Sequence, residues 1–88
     1  MSKDELTAGA ENISNQLISA LSKRNVPFEQ ISWKNGKQHY VLTVRTQFGS
    51  RFARFAQINL LEQDDPMTRQ INTFLINQLI DKLINLSG

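Results

Sequence analysis

Apolar positions along the 88-residue chain change their period twice. From Leu6 they recur at three- and four-residue steps through Ala10, Ile13, Leu17, Ala20 and Leu21, which predicts an amphipathic helix over about residues 3–24. Ser2-Lys3-Asp4-Glu5 reads as its capping box, the Ser2 hydroxyl and Glu5 carboxylate serving the first free amides. Asp4 and Glu5 suit the positive end of the helix dipole, and Lys23 and Arg24 the negative end. Asn25 tolerates the left-handed conformation that closes a helix, and Pro27 prevents its continuation.

The period then becomes two. Residues 28–34 and 37–47 alternate on either side of Asn35-Gly36, a pair that favours the positive-φ turn of a tight hairpin. With that turn, Lys34 faces Lys37, Ser32 faces His39 and Ile31 faces Tyr40. Ile31, Trp33, Tyr40, Leu42 and Val44 then share one face. Gln30, Ser32, Lys34, Lys37, His39, Thr43 and Arg45 share the other. After a turn near Phe48-Gly49-Ser50, a third strand is expected over residues 51–61. A two-residue loop places Phe55 with Leu42 and Val44, and places Phe52, Arg54 and Ile58 with Thr43 and Arg45; a three-residue loop would reverse this.

Helical spacing returns after Asp65, an N-cap, and Pro66 at the first helical position, and predicts a helix over residues 66–86. Leu75, Leu79, Leu83 and Leu86 form one stripe, and Ile76, Ile80 and Ile84 a second beside it. Together they cover an arc of about 180°, wider than the ~100° of a single packing face. A three-stranded sheet is too narrow to cover both helices and bury every stripe. The surplus therefore predicts a homodimer through Ile76, Ile80, Leu83 and Ile84, since a two-fold interface is self-complementary. The expected architecture is a single α+β domain ordered α-β-β-β-α, a three-stranded antiparallel meander with both helices on one face.

Composition and charge narrow the chemistry. The apolar and charged fractions, 40% and 20%, are those of an ordinary globular domain. A chain this short buries one core and leaves little room for a deep internal active site. Without cysteine it holds no disulfide and no thiolate-ligated metal, which favours a reducing compartment. No apolar run is long enough to span a membrane, and the charged N-terminus does not read as a signal peptide, so a cytoplasmic location is expected. The net charge is only +2, but it is unevenly spread. Residues 1–29 sum to −1 and residues 62–88 to −2, whereas residues 30–61 carry Lys34, Lys37, Arg45, Arg51 and Arg54 with no acid. Such asymmetry speaks to partners, not to fold.

Catalytic and cofactor devices are not evident. His39 is the only histidine and has no second metal ligand at helical or hairpin spacing, so neither a metal nor a cofactor is expected. A Ser32–His39 pair would lack a carboxylate to orient the imidazole and would lie on an open sheet face. Asp64 and Asp65 precede Pro66 and are explained by capping. The glycines form no phosphate-cradling loop. The segment Phe48 to Phe55 combines aromatic and basic residues as RNA-recognition octamers do, but Phe52 and Phe55 are three apart and point to opposite faces. The element order is also that of double-stranded-RNA-binding domains, but the last helix begins Asp65-Pro66-Met67-Thr68-Arg69, without a lysine cluster; no family resemblance is drawn.

The expected site is therefore the uncovered sheet face, where Lys34, Lys37, Arg45 and Arg54, with His39 and Phe52, would grip phosphates and stack a base. The corresponding function is a non-enzymatic nucleic-acid-associated protein, probed on DNA or RNA, of the bacterial or phage accessory type and acting as a homodimer. The competing function is a protein-interaction module, such as an adaptor or inhibitor, docking an acidic protein partner. The plainest explanation of the same residues is solvation, since lysine and arginine on a sheet also discourage edge-to-edge pairing.

Overall fold

The computed structural model describes residues 3–87. Helix α1 (Lys3–Lys23) buries Ile13, Leu17 and Leu21 completely, three turns of the stripe seen in the sequence. It closes in a Schellman motif: the Val26 amide donates to the Leu21 carbonyl at 2.9 Å and the Asn25 amide to that of Ser22 at 3.2 Å. Asn25 supplies the left-handed residue this closure requires, with φ of 56°. The expected N-cap, Ser2, lies outside the described residues.

Strands β1 (Gln30–Asn35), β2 (His39–Thr46) and β3 (Gly49–Ala56) form an antiparallel meander in the order β1-β2-β3. The first hairpin turns two residues later than Asn35-Gly36 predicts. Asn35 faces Tyr40, Trp33 faces Leu42 and Ile31 faces Val44. The expected pairs Ser32–His39 and Lys34–Lys37 therefore do not form; Ser32 faces Thr43 and Lys34 faces Val41. Among the described residues only Asn25 and Gly49 have positive φ, so Asn35-Gly36 does not adopt the primed turn. The gain lies in cross-strand packing, because Trp33 meets Leu42 instead of Gln38. Gly36 serves close approach instead: its amide donates to the His39 carbonyl at 2.8 Å, and a Cβ there would stand 2.7 Å from that oxygen. The register slips by an even number of residues, so each side chain keeps its expected face.

The second hairpin pairs Thr46 with Gly49 around Gln47-Phe48. The Thr46 hydroxyl donates to the Gly49 carbonyl at 3.0 Å and accepts from the Phe48 amide at 3.1 Å. β3 ends at Ala56, not Leu61, because α2 (Gln57–Leu61) takes over. Asn59 enforces the change: its Oδ1 accepts the Ala56 amide at 3.2 Å, and its Nδ2 donates to Asn72 Oδ1 at 2.9 Å. Asn72 returns a bond from Nδ2 to the Asn59 carbonyl at 3.0 Å, so the buried amides satisfy each other. Ile58, expected on the outer sheet face, stands exposed on α2 instead.

Helix α3 (Pro66–Ser87) starts as predicted, with the Thr68 amide donating to Asp65 Oδ2 at 3.0 Å. It packs along β3, while α1 rests against α2, and both long helices lie on the face carrying Leu42, Val44 and Phe55. Gly9 permits the second contact, since a Cβ there would run into the Leu60 backbone carbonyl. Gln63 ties the same junction by donating from Nε2 to the Gly9 carbonyl at 2.8 Å.

This packing overturns the expected dimer surface. Ile76, Ile80 and Leu83 are 4%, 0% and 2% exposed within the single chain and cannot meet a second copy; only Ile84 of that set reaches the surface. They share one core with Ile13, Leu17 and Leu21 of α1 and with Leu60 of α2, a helix that touches both α1 and α3. Besides Ile84, the large apolar residues that α3 leaves at the surface are Met67, Ile71 and Phe74, toward its opposite end.

Candidate functional site

The register builds the outer sheet face as four rows across the strands. His39 and Ala56 form the first, with Gly36 bonded to His39 from the turn, and Lys34, Val41 and Arg54 form the second. Ser32, Thr43 and Phe52 form the third, and Gln30, Arg45 and Ser50 the fourth. No acidic residue falls in any row. Lys34, His39, Arg45, Phe52 and Arg54 thus share one exposed face, as expected from their alternation. Lys37 sits in the turn at its end and lines a hollow of about 410 Å³ with Gly36, His39, Val41 and Arg54.

The cations are not equivalent. Lys34 and Arg54 flank Val41, roughly 10 Å apart at two strand spacings. Arg45 lies two rows away and is partly compensated by Glu29, whose Oε1 is 3.9 Å from its Nε. Arg51 pairs with Val44 and so belongs to the opposite face; its guanidinium donates to the Ser50 carbonyl at 2.8 Å. Phe52 is 47% exposed, whereas Phe55, three residues on, is fully buried against Trp33 at a ring separation of 5.6 Å. The Arg54 guanidinium lies over the Phe52 ring at 5.6 Å, a cation–π arrangement in the open.

Two features were not visible in the alternation. Because α3 packs beside β3, a groove of about 340 Å³ opens at the sheet edge between Phe52 and Arg54 on one side and Leu75, Gln78 and Lys82 on the other. Lys82 thereby joins the basic surface from an acidic part of the chain. Leu75, Gln78 and Lys82 stand at i, i+3 and i+7, the signal that places Lys82 on that flank. The second feature is a cavity of about 600 Å³ beneath the first hairpin, lined by Leu6, Ala10, Ser14, Trp33, Tyr40 and Leu60. Trp33 frames it by donating from its indole N–H to Ser14 Oγ at 2.8 Å.

Among the described residues, no three His, Asp or Glu side chains gather as metal ligands, and no helix is long and apolar enough to cross a membrane. No known family model, curated protein or solved structure matches the chain.

Proposed function

We propose that this chain is a non-enzymatic, nucleic-acid-associated binding protein of the cytoplasm that uses its outer sheet face. One observation carries the reading: Lys34, His39, Arg45, Phe52 and Arg54, with Lys37 at the turn, surround an exposed surface whose rows contain no acid. A surface of this kind attracts phosphates at long range, and binding releases their condensed counterions. The ring of Phe52 adds a contact that solvating charges alone do not need. The test is titration of labelled DNA and RNA, single-stranded and duplex, at increasing salt. Binding that weakens steeply with salt supports the reading, and no binding of any of the four at low salt removes it.

A second reading rests on a separate observation. β1 is an edge strand, and the Gly36–His39 bond sets the alternation that turns the backbone groups of Ile31, Trp33 and Asn35 toward the open edge. The 600 Å³ cavity lies beside that edge and would take alternate side chains of an added strand, with acidic side chains falling near Lys34. A stoichiometric, nuclease-insensitive protein partner that slows amide exchange at Ile31, Trp33 and Asn35 would favour this module over the first. With the expected set mostly buried, a homodimer is proposed through the exposed row Met67, Ile71 and Phe74; Ile71→Glu would then return associated chains to monomers with helical content intact.

A further inference from the structure

The hollow at the hairpin end and the groove at the β3 edge share one wall, Arg54. The first brings Lys37 and His39 to that residue; the second brings Phe52, Gln78 and Lys82. They therefore form one track that crosses the outer face and leaves the sheet between β3 and α3. Cations occur along its length: Lys37 at one end, Arg54 in the middle and Lys82 at the other end, with Lys34 beside it in the row of Arg54. The exposed Phe52 ring stands where the track passes over the edge. Arg45, with its Glu29 partner, lies off this line.

We propose that the track binds a single strand of nucleic acid, with one unpaired base stacked on Phe52 and flanking phosphates held by Arg54 and Lys82. This rests on the nucleic-acid reading above and narrows it. The ring decides for a single strand. A duplex presents its bases only as edges within grooves, and reading them takes a helix or a two-stranded ribbon that enters the groove. A three-stranded face bordered by a helix does not enter, and an aromatic ring at its surface can stack only a base whose flat face is free. The Phe52 ring already carries a planar cation on its face, the Arg54 guanidinium at 5.6 Å. A base displaces that group, and the freed guanidinium reaches the adjoining phosphate. Gln78, which lines the same groove, offers an amide to a base edge or sugar hydroxyl.

The experiment compares fluorescence anisotropy of labelled oligo(dT) with that of a blunt duplex of equal length, at matched salt, for wild type, Phe52→Ala, Phe52→Tyr and Lys82→Gln. Both positions are at the surface, so far-ultraviolet circular dichroism should be unchanged. The track predicts tighter binding of oligo(dT) than of the duplex. Phe52→Ala should weaken oligo(dT) binding about tenfold or more while Phe52→Tyr retains it. Lys82→Gln should lower the slope of log affinity against log salt by about 0.7. If the duplex binds as well and Phe52→Ala and Lys82→Gln behave as wild type, the track is wrong and the basic face survives without it. If neither nucleic acid binds at low salt, the underlying reading fails as well.

Discussion

The two faces of the sheet are built from alternate residues of the same strands, yet they answer to different constraints. On the inner face Leu42, Val44 and Phe55 are fully buried against α1 and α3, and each is held by shape on several sides. On the outer face Lys34, Arg45, Phe52 and Arg54 stand exposed, outside the packed core. The inner set explains why the chain folds. The outer set combines positive charge with an exposed ring and is free to serve a partner. Along a strand, neighbouring residues can therefore belong to separate problems, and each substitution should affect one of them and leave the other.

Placing a charge in the inner layer breaks this division most severely. Ile80→Asp buries a carboxylate at a fully covered position, where about 4 kcal/mol or more is lost, so the chain should unfold and not merely dissociate. Thermal melts monitored by circular dichroism read this directly. Gly9→Ala is milder and sets two effects against each other. Alanine gains about 1 kcal/mol in helix propensity, but its Cβ meets the Leu60 carbonyl, backbone that cannot swing aside. The clash should win, with net destabilisation of about 1–2 kcal/mol in chemical denaturation. Asp65→Ala removes the side-chain acceptor of the Thr68 amide and should cost about 1 kcal/mol, lowering Tm by roughly 4–8 °C. The outer face completes the series: Lys34→Gln with Arg54→Gln should change stability by less than about 0.5 kcal/mol.

The elements that announce themselves locally were legible in the sequence. Asn25 and Asp65 fix helix ends through bonds within a few residues, and the structure contains both. Strict alternation placed Lys34, His39, Arg45, Phe52 and Arg54 on one face even though the hairpin register was wrong, because an even slip preserves the faces. The register itself was not legible: the preference of Asn35-Gly36 for a tight turn yields to the contact of Trp33 with Leu42, a tertiary gain invisible to turn chemistry. The end of β3 was hidden for a similar reason. Asn59 terminates it by bonding to Asn72, thirteen residues away on a helix not yet placed. The isoleucines of α3 looked surplus because the core they share with α1, the sheet and Leu60 of α2 forms only in the folded chain, so the suggested dimer surface is largely core. Lys82 escaped because its relation to Phe52 exists only once α3 lies along β3.

On the proposed function, charge on the outer face acts in binding and not in folding. The most direct test is the salt dependence of oligonucleotide affinity for wild type and for the Lys34→Gln, Arg54→Gln double variant. Each phosphate contact contributes about 0.7 to the slope of log affinity against log salt for a single strand, so losing both cations should reduce the slope by about 1.4. The melting curve should stay where it was. A slope that does not change in the double variant, or a wild-type chain whose oligonucleotide binding is indifferent to salt, would contradict the account.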